Sequence, residues 1–398
     1  GDRWGGSFWW PGLVLLTLER FYPRVFPWNL GAGVGACLPF AQLARWIGLE
    51  GLTLPVLVVS ALLERAGRCL LPWREGGLRR ARSPLLWALG CLLLWGGAGW
   101  ARLVTAGEES GTLRVGYLQP VVPLARKHST DPGVRTALLH ELERSSRRLA
   151  EKERCDLIVW AEALFPFSPE GDELARWAER LIGVPMIVGG EGVVEGRLTN
   201  RAFLLAPADG RLVVSVYDKR FLVPFGERVP LREALVAVGV RIPGLDLAAG
   251  DEVVVEEFRG VPVGVSICFE GIVRETARDL LAAGARLHVN LTEDLWYGHS
   301  SAPYQHLSLV TLRAVESGLP CVRIANGGIS ALIDPFGRVV ARAALGERAS
   351  GVFVARVPAT IAPPPLSARL LLWVPWPGLL LPLLPWLLRG RKIPWISC

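Results

Sequence analysis

Three polar residues follow short apolar runs in the middle of this 398-residue chain. Glu162 ends the run LIVWAE, Lys219 follows VVSVYD, and Cys268 ends VPVGVSIC. A carboxylate at the end of a buried strand costs free energy unless it is paired or used. Brought together, a thiol, a carboxylate and a lysine supply a nucleophile, a base for its proton and a cation for an oxyanion. This combination predicts acyl transfer.

Each of the three residues also has a plainer explanation. A cysteine that ends a buried strand is often an inert, small apolar side chain. A lysine after a strand is usually solvated, and a glutamate there often caps a helix. All three nevertheless lie at strand ends, where α/β folds place their binding and catalytic residues. We therefore expect Cys268 to be a nucleophile, with Lys219 close enough to favour the thiolate.

The elements that must position these residues follow from the hydrophobic pattern. Short β-rich runs bounded by Gly, Pro or Asp predict strands at residues 113–118, 157–160, 185–189, 201–206, 212–217, 261–268, 287–291, 321–325 and 329–333. Apolar residues at helical spacing predict helices at 134–154, 173–182, 272–283 and 304–317. Turn-forming sequences at 326–328 and 334–337 predict hairpin turns. The alternation indicates a layered α/β domain of about 250 residues.

The composition points to a membrane. Hydrophobic residues make up 51% of the chain, charged residues only 20%, and there are 16 tryptophans. This is too apolar for an ordinary soluble enzyme of this length. Residues 83–104 are uncharged until Arg102, and about 20 apolar residues suffice to cross a bilayer. Further candidate spans are 366–388, which contains four prolines, and the shorter runs at about 7–20 and 47–63.

Loop charges give an orientation. The connection 64–82 holds six arginines and two glutamates, and short basic loops stay in the cytoplasm. We therefore expect an N-terminal transmembrane region at 1–105 and an α/β domain on the outer face at 106–360. A C-terminal span with a basic cytoplasmic tail would follow at 361–398.

The remaining composition narrows the function further. The net charge of +7 is not arranged as a basic stripe with interleaved aromatics, so no nucleic-acid partner is expected. The seven cysteines form no CxxC pair, and the five histidines lack metal-ligand spacing, so neither a metal nor another cofactor is expected. Because the chain begins at Gly1 and its only methionine is Met186, we expect it to be a fragment or a processed form.

Longer stretches around the same residues carry a resemblance to a known family. They are VWAEALFPF around Glu162, YDKRFLVPFGERVPL around Lys219, ICFE around Cys268, LWYGHSSAPYQH, RIANGGISALIDPFG and, in the apolar part, ERFYPRVFPWNLG. The chain resembles the nitrilase, or carbon-nitrogen hydrolase, superfamily, and within it the membrane branch of apolipoprotein N-acyltransferases. The resemblance implies a nitrilase-like α-β-β-α sandwich inserted between transmembrane helices.

The resemblance also implies roles for individual residues. Glu162 would be the base, Lys219 the oxyanion partner and Cys268 the nucleophile. Supporting roles in the site or in substrate binding would fall to Glu227, a second essential carboxylate, and to Glu270, Phe269, Trp296 and Tyr297, the last two as aromatics that could line a lipid entry.

The implied reaction moves an acyl chain from a membrane phospholipid, through a cysteine thioester, to the diacylglyceryl-cysteine at the N-terminus of a bacterial lipoprotein. Its place would be the outer, periplasmic face of the bacterial inner membrane, in a multi-pass protein that acts as a monomer. Two alternatives stay open. The chain could be a membrane-tethered amidase or nitrilase-type hydrolase that uses water as acceptor, or a diverged homologue without catalytic activity.

Some positions depart from the family pattern. Phe269 stands where the family usually has tyrosine, and Glu293 where it has asparagine before an aspartate. In the stretch QPVVPLARKH, Val121 replaces an asparagine and His128 a tryptophan, whereas Lys127 is kept. These changes leave the three reacting residues intact and fall on expected substrate contacts.

Overall fold

The computed structural model describes residues 9–22, 26–70, 77–105, 109–165, 174, 177–179, 183–208, 211–241 and 246–361. The chain divides into two compact units, of which one is Gly107–Ala362 and the other includes Gly1–Ala106.

The unit that includes Gly1–Ala106 is helical. Its elements are α1 (Trp9–Phe21), a 3₁₀ helix (Leu30–Ala36), α2 (Leu38–Ala41), α3 (Ala44–Gly51), α4 (Thr53–Leu70) and α5 (Gly77–Val104). Helix α5 has 28 residues and contains the predicted span 83–104. Within the described part of the chain, α5 alone is long and apolar enough to cross a membrane, and the bent pair α3–α4 would be a second crossing if counted as one span. Several large apolar side chains of α5 are exposed, among them Trp87 and Leu94.

The other predicted membrane spans differ in how far helices of the structure match them. Helix α1 covers most of the predicted span at 7–20 but has only 13 residues, fewer than the about 20 that a straight crossing needs. The predicted span at 47–63 is not one straight helix, because α3 and α4 meet at an angle of 76°. Gly48 with φ 76° lies at a further kink within α3. The predicted C-terminal span and basic tail lie outside the described residues.

Glu19, from the quoted stretch ERFYPRVFPWNLG, joins three parts of the helical unit. Its carboxylate accepts hydrogen bonds from the Leu30 amide at 2.6 Å and from the Thr53 hydroxyl at 2.7 Å. The side chain is buried, and burying a carboxylate is favourable only when it is hydrogen-bonded in this way. Glu19 therefore fixes the end of α1 to the 3₁₀ helix and to the start of α4.

The second unit is the α/β domain. Its strands are β1 (Glu109–Gln119), β2 (Leu157–Trp160), β3 (Met186–Val194), β4 (Arg197–Ala208), β5 (Arg211–Asp218), β6 (Val255–Phe258), β7 (Val261–Ile267), β8 (Leu287–Glu293), β9 (Cys321–Asn326), β10 (Ala331–Ile333), β11 (Val339–Arg342) and β12 (Ala349–Pro358). Its helices are α6 (Leu124–Lys127), α7 (Pro132–Glu153), α8 (Arg232–Ala237), α9 (Arg274–Ala282) and α10 (Ala302–Ser317).

The strands form two six-stranded sheets, in the orders β12-β1-β2-β3-β4-β5 and β11-β10-β9-β8-β7-β6. Strands β1 to β3 run parallel in the first sheet and β7 to β9 in the second. Every residue of β2, β8 and β9 is buried, as expected for parallel strands that are covered on both faces. One apolar core contains residues from both sheets and the inner face of α7. The domain therefore has the mixed α/β, nitrilase-like fold with two sheets that the resemblance implies.

Most of the predicted elements are confirmed. All nine predicted strands are present, and the turns at 326–328 and 334–337 each join antiparallel strands. Gly327 and Gly337 have φ angles of 71° and 80°, which glycine adopts without steric cost. The predicted helix 272–283 begins instead as a 3₁₀ helix, Cys268–Ile272, followed by α9. The predicted helix 173–182 lies largely outside the described residues. Strands β6, β11 and β12 were not predicted.

Candidate active site

A buried lysine lies between two carboxylates. Lys219 Nζ is 2.7 Å from Glu227 Oε1 and 3.4 Å from Glu162 Oε1, and its side chain is fully buried. Asn200 Nδ2 donates to Glu162 Oε1 at 2.6 Å and also lies 3.4 Å from Glu227 Oε1. The amide thus holds the two carboxylates around a single cation.

The ends of two strands in the first sheet bring these groups together. Glu162 lies two residues beyond β2, and Lys219 directly follows β5. Glu227 returns to Lys219 through a turn in which Phe225, with φ 64°, adopts the left-handed conformation. In that turn the Val223 amide donates to Glu227 Oε2 at 2.8 Å. The turn therefore places the second carboxylate, Glu227, beside the lysine.

Cys268 comes from the second sheet. It directly follows β7 and has a φ of 52°, a left-handed conformation that is strained for a residue with a side chain and that often marks functional sites. The Asn290 side chain donates to the Cys268 carbonyl oxygen at 3.2 Å, and Cys268 Sγ lies 3.9 Å from the Glu293 carbonyl oxygen. A sharp, braced turn therefore carries the thiol.

The surroundings of Cys268 favour a protonated thiol. Burial raises the pKa of Cys268 well above its ordinary value, and the charge of Glu162 raises it further, whereas Lys219 lowers it. Burial alone would lower the pKa of Lys219, but Glu162 and Glu227 raise it above its ordinary range. The expectation that the lysine favours a resting thiolate is thus outweighed by burial. Lys219 stays a cation, and the thiol needs a base.

Glu270 is a brace between the two loops that carry Lys219 and Cys268. Its Oε1 accepts hydrogen bonds from the Arg220 amide at 2.7 Å, the Phe221 amide at 2.9 Å and the Tyr217 hydroxyl at 2.8 Å. Its Oε2 accepts one from the Ile267 amide at 2.7 Å. Burial raises the pKa of Glu270 in spite of these donors. Its contacts fit a structural role beside the reacting groups.

The predicted aromatic residues lie in different surroundings. Phe269 is buried in the turn after the thiol, whereas Trp296 is 69% exposed. Tyr297 is half-buried, and its ring lies edge-on to the His306 ring with centroids 6.1 Å apart. His306 in turn contacts the buried Asp294. The structure therefore places Tyr297 against buried polar residues just after β8 and leaves Trp296 at the surface.

Several buried polar residues of the site were not predicted as such. Asn200 lies inside β4, where asparagine is disfavoured, and this is the sequence signal that could have found it. Asp294 pairs with Arg323 at 2.8 Å, with both side chains fully buried, and also contacts His306 at 3.1 Å.

Comparisons with known proteins identify a family and several relatives of the chain. The family model for carbon-nitrogen hydrolases matches residues 125–363. The chain is 33% identical over 333 residues to the apolipoprotein N-acyltransferase of Geobacter metallireducens, covering 81% of this chain and 62% of that protein. It is 34% identical over 358 residues to the one from Rhodopseudomonas palustris, covering 85% of this chain and 65% of that protein. The chain thus spans a little under two thirds of the length of these relatives.

Among solved structures, the chain is similar to a carbon-nitrogen hydrolase superfamily protein from Xanthomonas campestris. That similarity has 18% identity and a TM-score of 0.45, and it covers 71% of this chain and 98% of the other. A structure of an amidase from Nesterenkonia matches with 18% identity and a TM-score of 0.43, covering 62% of this chain and 94% of the other. The match of the family model over most of the α/β domain identifies the chain as a member of the carbon-nitrogen hydrolase family.

Proposed function

We propose that the chain is an acyltransferase that moves an acyl chain from a phospholipid, through a thioester on Cys268, to the free amine of a diacylglyceryl-cysteine. The observation that carries the proposal is the convergence of Glu162 and Glu227 on the buried Lys219 ammonium, which interacts electrostatically with the buried Cys268 thiol. The names of the curated relatives support the choice of reaction.

In the first half of the reaction, Glu162 would take the proton of the Cys268 thiol as the sulfur attacks the ester carbonyl of the phospholipid. The negative charge that develops on the carbonyl oxygen would be stabilised by the Lys219 ammonium, which is already oriented by its carboxylate partners. When the tetrahedral intermediate collapses, the C–O bond breaks and the lysophospholipid oxygen takes the proton from Glu162. The product is a Cys268 thioester.

In the second half, the acceptor amine attacks the thioester carbonyl, and Glu162 takes a proton from the nitrogen. The C–S bond breaks, and the sulfur leaves as a thiolate and is reprotonated by Glu162. Two carboxylates around one ammonium leave a net negative charge in the site, which attracts the acceptor in its ammonium form. That group would give one proton to solvent before the neutral nitrogen attacks.

The location of the reaction is part of the same proposal. Helix α5 is long and apolar enough to cross a bilayer, and the basic residues before it favour a cytoplasmic start. The α/β domain would then lie at the outer face of the inner membrane, where both lipid substrates are within reach. The expected domain bounds, 1–105, 106–360 and 361–398, and a monomeric state belong to this proposal.

The test is a transfer assay with the full chain in phospholipid vesicles and a diacylated lipopeptide. The proposal predicts that mass spectrometry detects one added acyl chain on the lipopeptide amine, and that Cys268→Ser abolishes the product. The matched control is Cys37→Ser, since Cys37 is an exposed cysteine of the helical unit. Release of free fatty acid without lipopeptide product would instead support a hydrolase, and a product in Cys268→Ser would rule out the thioester route.

A further inference from the structure

The reacting groups come from two different sheets. Glu162 and Lys219 follow strands β2 and β5 of the first sheet, whereas Cys268 follows β7 of the second. A base acts on a thiol only when the two are held at hydrogen-bonding separation. The relative placement of the two sheets at this edge therefore determines whether Glu162 can reach the Cys268 proton.

A buried ion pair joins the two sheets at this edge. Lys127, the last residue of α6 after β1, places its Nζ 2.8 Å from Glu293 Oε2, at the end of β8. The two side chains are only 4% and 2% exposed. Asn326 Nδ2, at the end of β9, donates to the same Glu293 oxygen at 2.8 Å. The carboxylate is therefore held by a cation from the segment that follows β1 of the first sheet and by an amide from β9 of the second.

Both partners of the ion pair also reach the reacting residues. Lys127 Nζ donates to the backbone carbonyl of Glu162 at 3.1 Å. The backbone carbonyl of Glu293 is the group that lies 3.9 Å from Cys268 Sγ. One ion pair thus links the main chain that carries the base with the main chain that lies against the nucleophile.

The bonds around Asn326 strengthen this link. Its Oδ1 accepts from the Val122 amide at 2.8 Å, and its Nδ2 donates to the Val122 carbonyl at 3.0 Å. The Leu295 amide donates to Glu293 Oε1 at 3.0 Å. The network therefore ties β8 and β9 to the segment that connects β1 with α6.

We propose that the Lys127–Glu293 pair is a positioning device that holds the Glu162 base in register with the Cys268 thiol across the two sheets. Net stabilisation does not explain why the buried Lys127–Glu293 pair is present, because apolar residues of similar size often replace a buried ion pair without loss of stability. The directional bonds of the pair do explain its presence, because they fix the backbone carbonyls of Glu162 and Glu293 relative to each other. The inference rests on the proposed role of Cys268 as an acylated nucleophile.

The test is the double variant Lys127→Met/Glu293→Leu, in which two apolar side chains replace the ion pair. The measurement is the burst of p-nitrophenolate released when a short p-nitrophenyl ester acylates Cys268, which needs neither phospholipid nor lipopeptide. The burst amplitude counts folded sites, and the burst rate constant reports how well the base and the thiol are aligned. The matched control is Arg126→Met, which removes the neighbouring cation and its part-exposed pair with Glu141.

The inference predicts that the burst rate constant of the double variant, at saturating ester, falls about tenfold or more. The half-saturating ester concentration and the rate constant of Arg126→Met should stay at the wild-type values. An unchanged rate constant with a reduced amplitude would mean that the pair serves folding alone, and would overturn the inference. If the double variant does not fold, the burst rate constant is measured on the folded fraction of Glu293→Gln. A fall would support the inference, and a wild-type value would overturn it.

The two proposals fail in different ways. A wild-type burst at Cys268 without any transfer from phospholipid would refute the proposed acyltransferase function, while the comparison of burst rate constants would still test the ion pair. A wild-type protein without a burst at Cys268 would refute both.

Discussion

At the scale of single residues, the proposed base, cation and nucleophile have different surroundings. Burial favours the protonated Cys268 thiol, and the two neighbouring carboxylates favour the charged form of Lys219. Glu162 lies 3.4 Å from this lysine and also interacts electrostatically with the thiol. In the proposed mechanism, activation of the thiol therefore depends on proton transfer to Glu162 during the attack.

This division of roles predicts the effect of Glu162→Gln. The amide keeps the shape of the side chain but cannot accept the thiol proton, so the rate constant of Cys268 acylation should fall by about 10²- to 10⁴-fold. The p-nitrophenolate burst measures it, with thermal unfolding as the control for folding. A rate constant close to the wild-type value would exclude Glu162 as the base.

A second prediction concerns Glu270. The variant Glu270→Ala leaves buried donors around the carboxylate without an acceptor, at about 1–3 kcal/mol for each group. Four donors lose their acceptor, so we expect the midpoint of thermal unfolding to fall by about 8 °C or more, at about 2–4 °C for each kcal/mol. Tyr217→Phe removes only one of the donors and should cost much less. Equal midpoints for the two variants would contradict the bracing role.

The proposed reacting residues could be singled out from the sequence for different reasons. Glu162 and Lys219 are charged residues directly after apolar runs, whereas Cys268 was singled out by its place at a strand end together with these two. The ion pair of Lys127 and Glu293 was not predictable from pattern alone, since its partners are 166 residues apart and meet only when the two sheets pack. Such partners follow from the packing of the sheets, which local patterns do not encode.

At the scale of elements, close packing of β3 under the loop after β2 fixes the position of Glu162. A Cβ added at Gly189 would lie 2.4 Å from the Ala161 carbonyl oxygen and 2.8 Å from Glu162 Cα. These contacts are with main chain, which cannot move aside as a flexible side chain can. Strand β3 therefore needs glycine at this point.

The prediction is that Gly189→Ala displaces the Glu162 loop and lowers the acylation rate constant by at least about tenfold. Gly111→Ala is the control, because the added methyl group there meets nothing within 4 Å. Both are measured by the p-nitrophenolate burst. Wild-type rate constants in both variants would show that the loop tolerates the displacement.

The parallel pair β7–β8 makes the domain sensitive to acid. The His288 imidazole is buried and lies 2.7 Å from the Ser266 hydroxyl. Burial lowers the pKa of His288 from 6.5 to about 4. The unfolded chain therefore binds a proton between these values that the folded chain excludes, so stability is present above pH 6.5 and is lost as the pH falls towards 4.

The expected size of this loss is on the order of 3 kcal/mol. Unfolding midpoints measured between pH 7.5 and 4.5 should fall less steeply in His288→Gln than in the wild type, because glutamine does not titrate. His140→Gln is the control, since His140 lies at the surface of α7 and is exposed. Parallel pH curves for His288→Gln and the wild type would contradict this account.

Strand prediction succeeded for every strand inside a sheet and failed at three of the four sheet edges, β6, β11 and β12. Strand β2 is a continuous apolar run, whereas β8 and β9 are buried but also contain polar residues. Strand β6 is only four residues long and contains two glutamates, which are poor strand formers. Strand β12 pairs with β1, which is more than two hundred residues away in sequence, so no local hairpin pattern predicts it.

At the scale of the whole molecule, the proposal places the α/β domain and the start of α5 on opposite sides of a membrane. We expect a cysteine at the exposed position Glu347, introduced into a chain otherwise free of exposed cysteines, to react with a membrane-impermeant maleimide in intact spheroplasts. A cysteine at Arg79, near the start of α5, should react only after permeabilisation. Labelling of both positions before permeabilisation would refute the proposed topology.

The central claim is that Cys268 carries the acyl chain between donor and acceptor. The direct measurement is the mass of the Cys268 peptide after the full chain is incubated with phospholipid alone, followed by addition of the diacylated lipopeptide. We predict one acyl chain on Cys268, removable by neutral hydroxylamine, that disappears as the lipopeptide gains the same mass. Acylated lipopeptide formed while Cys268 remains unmodified and replaceable by serine would contradict it.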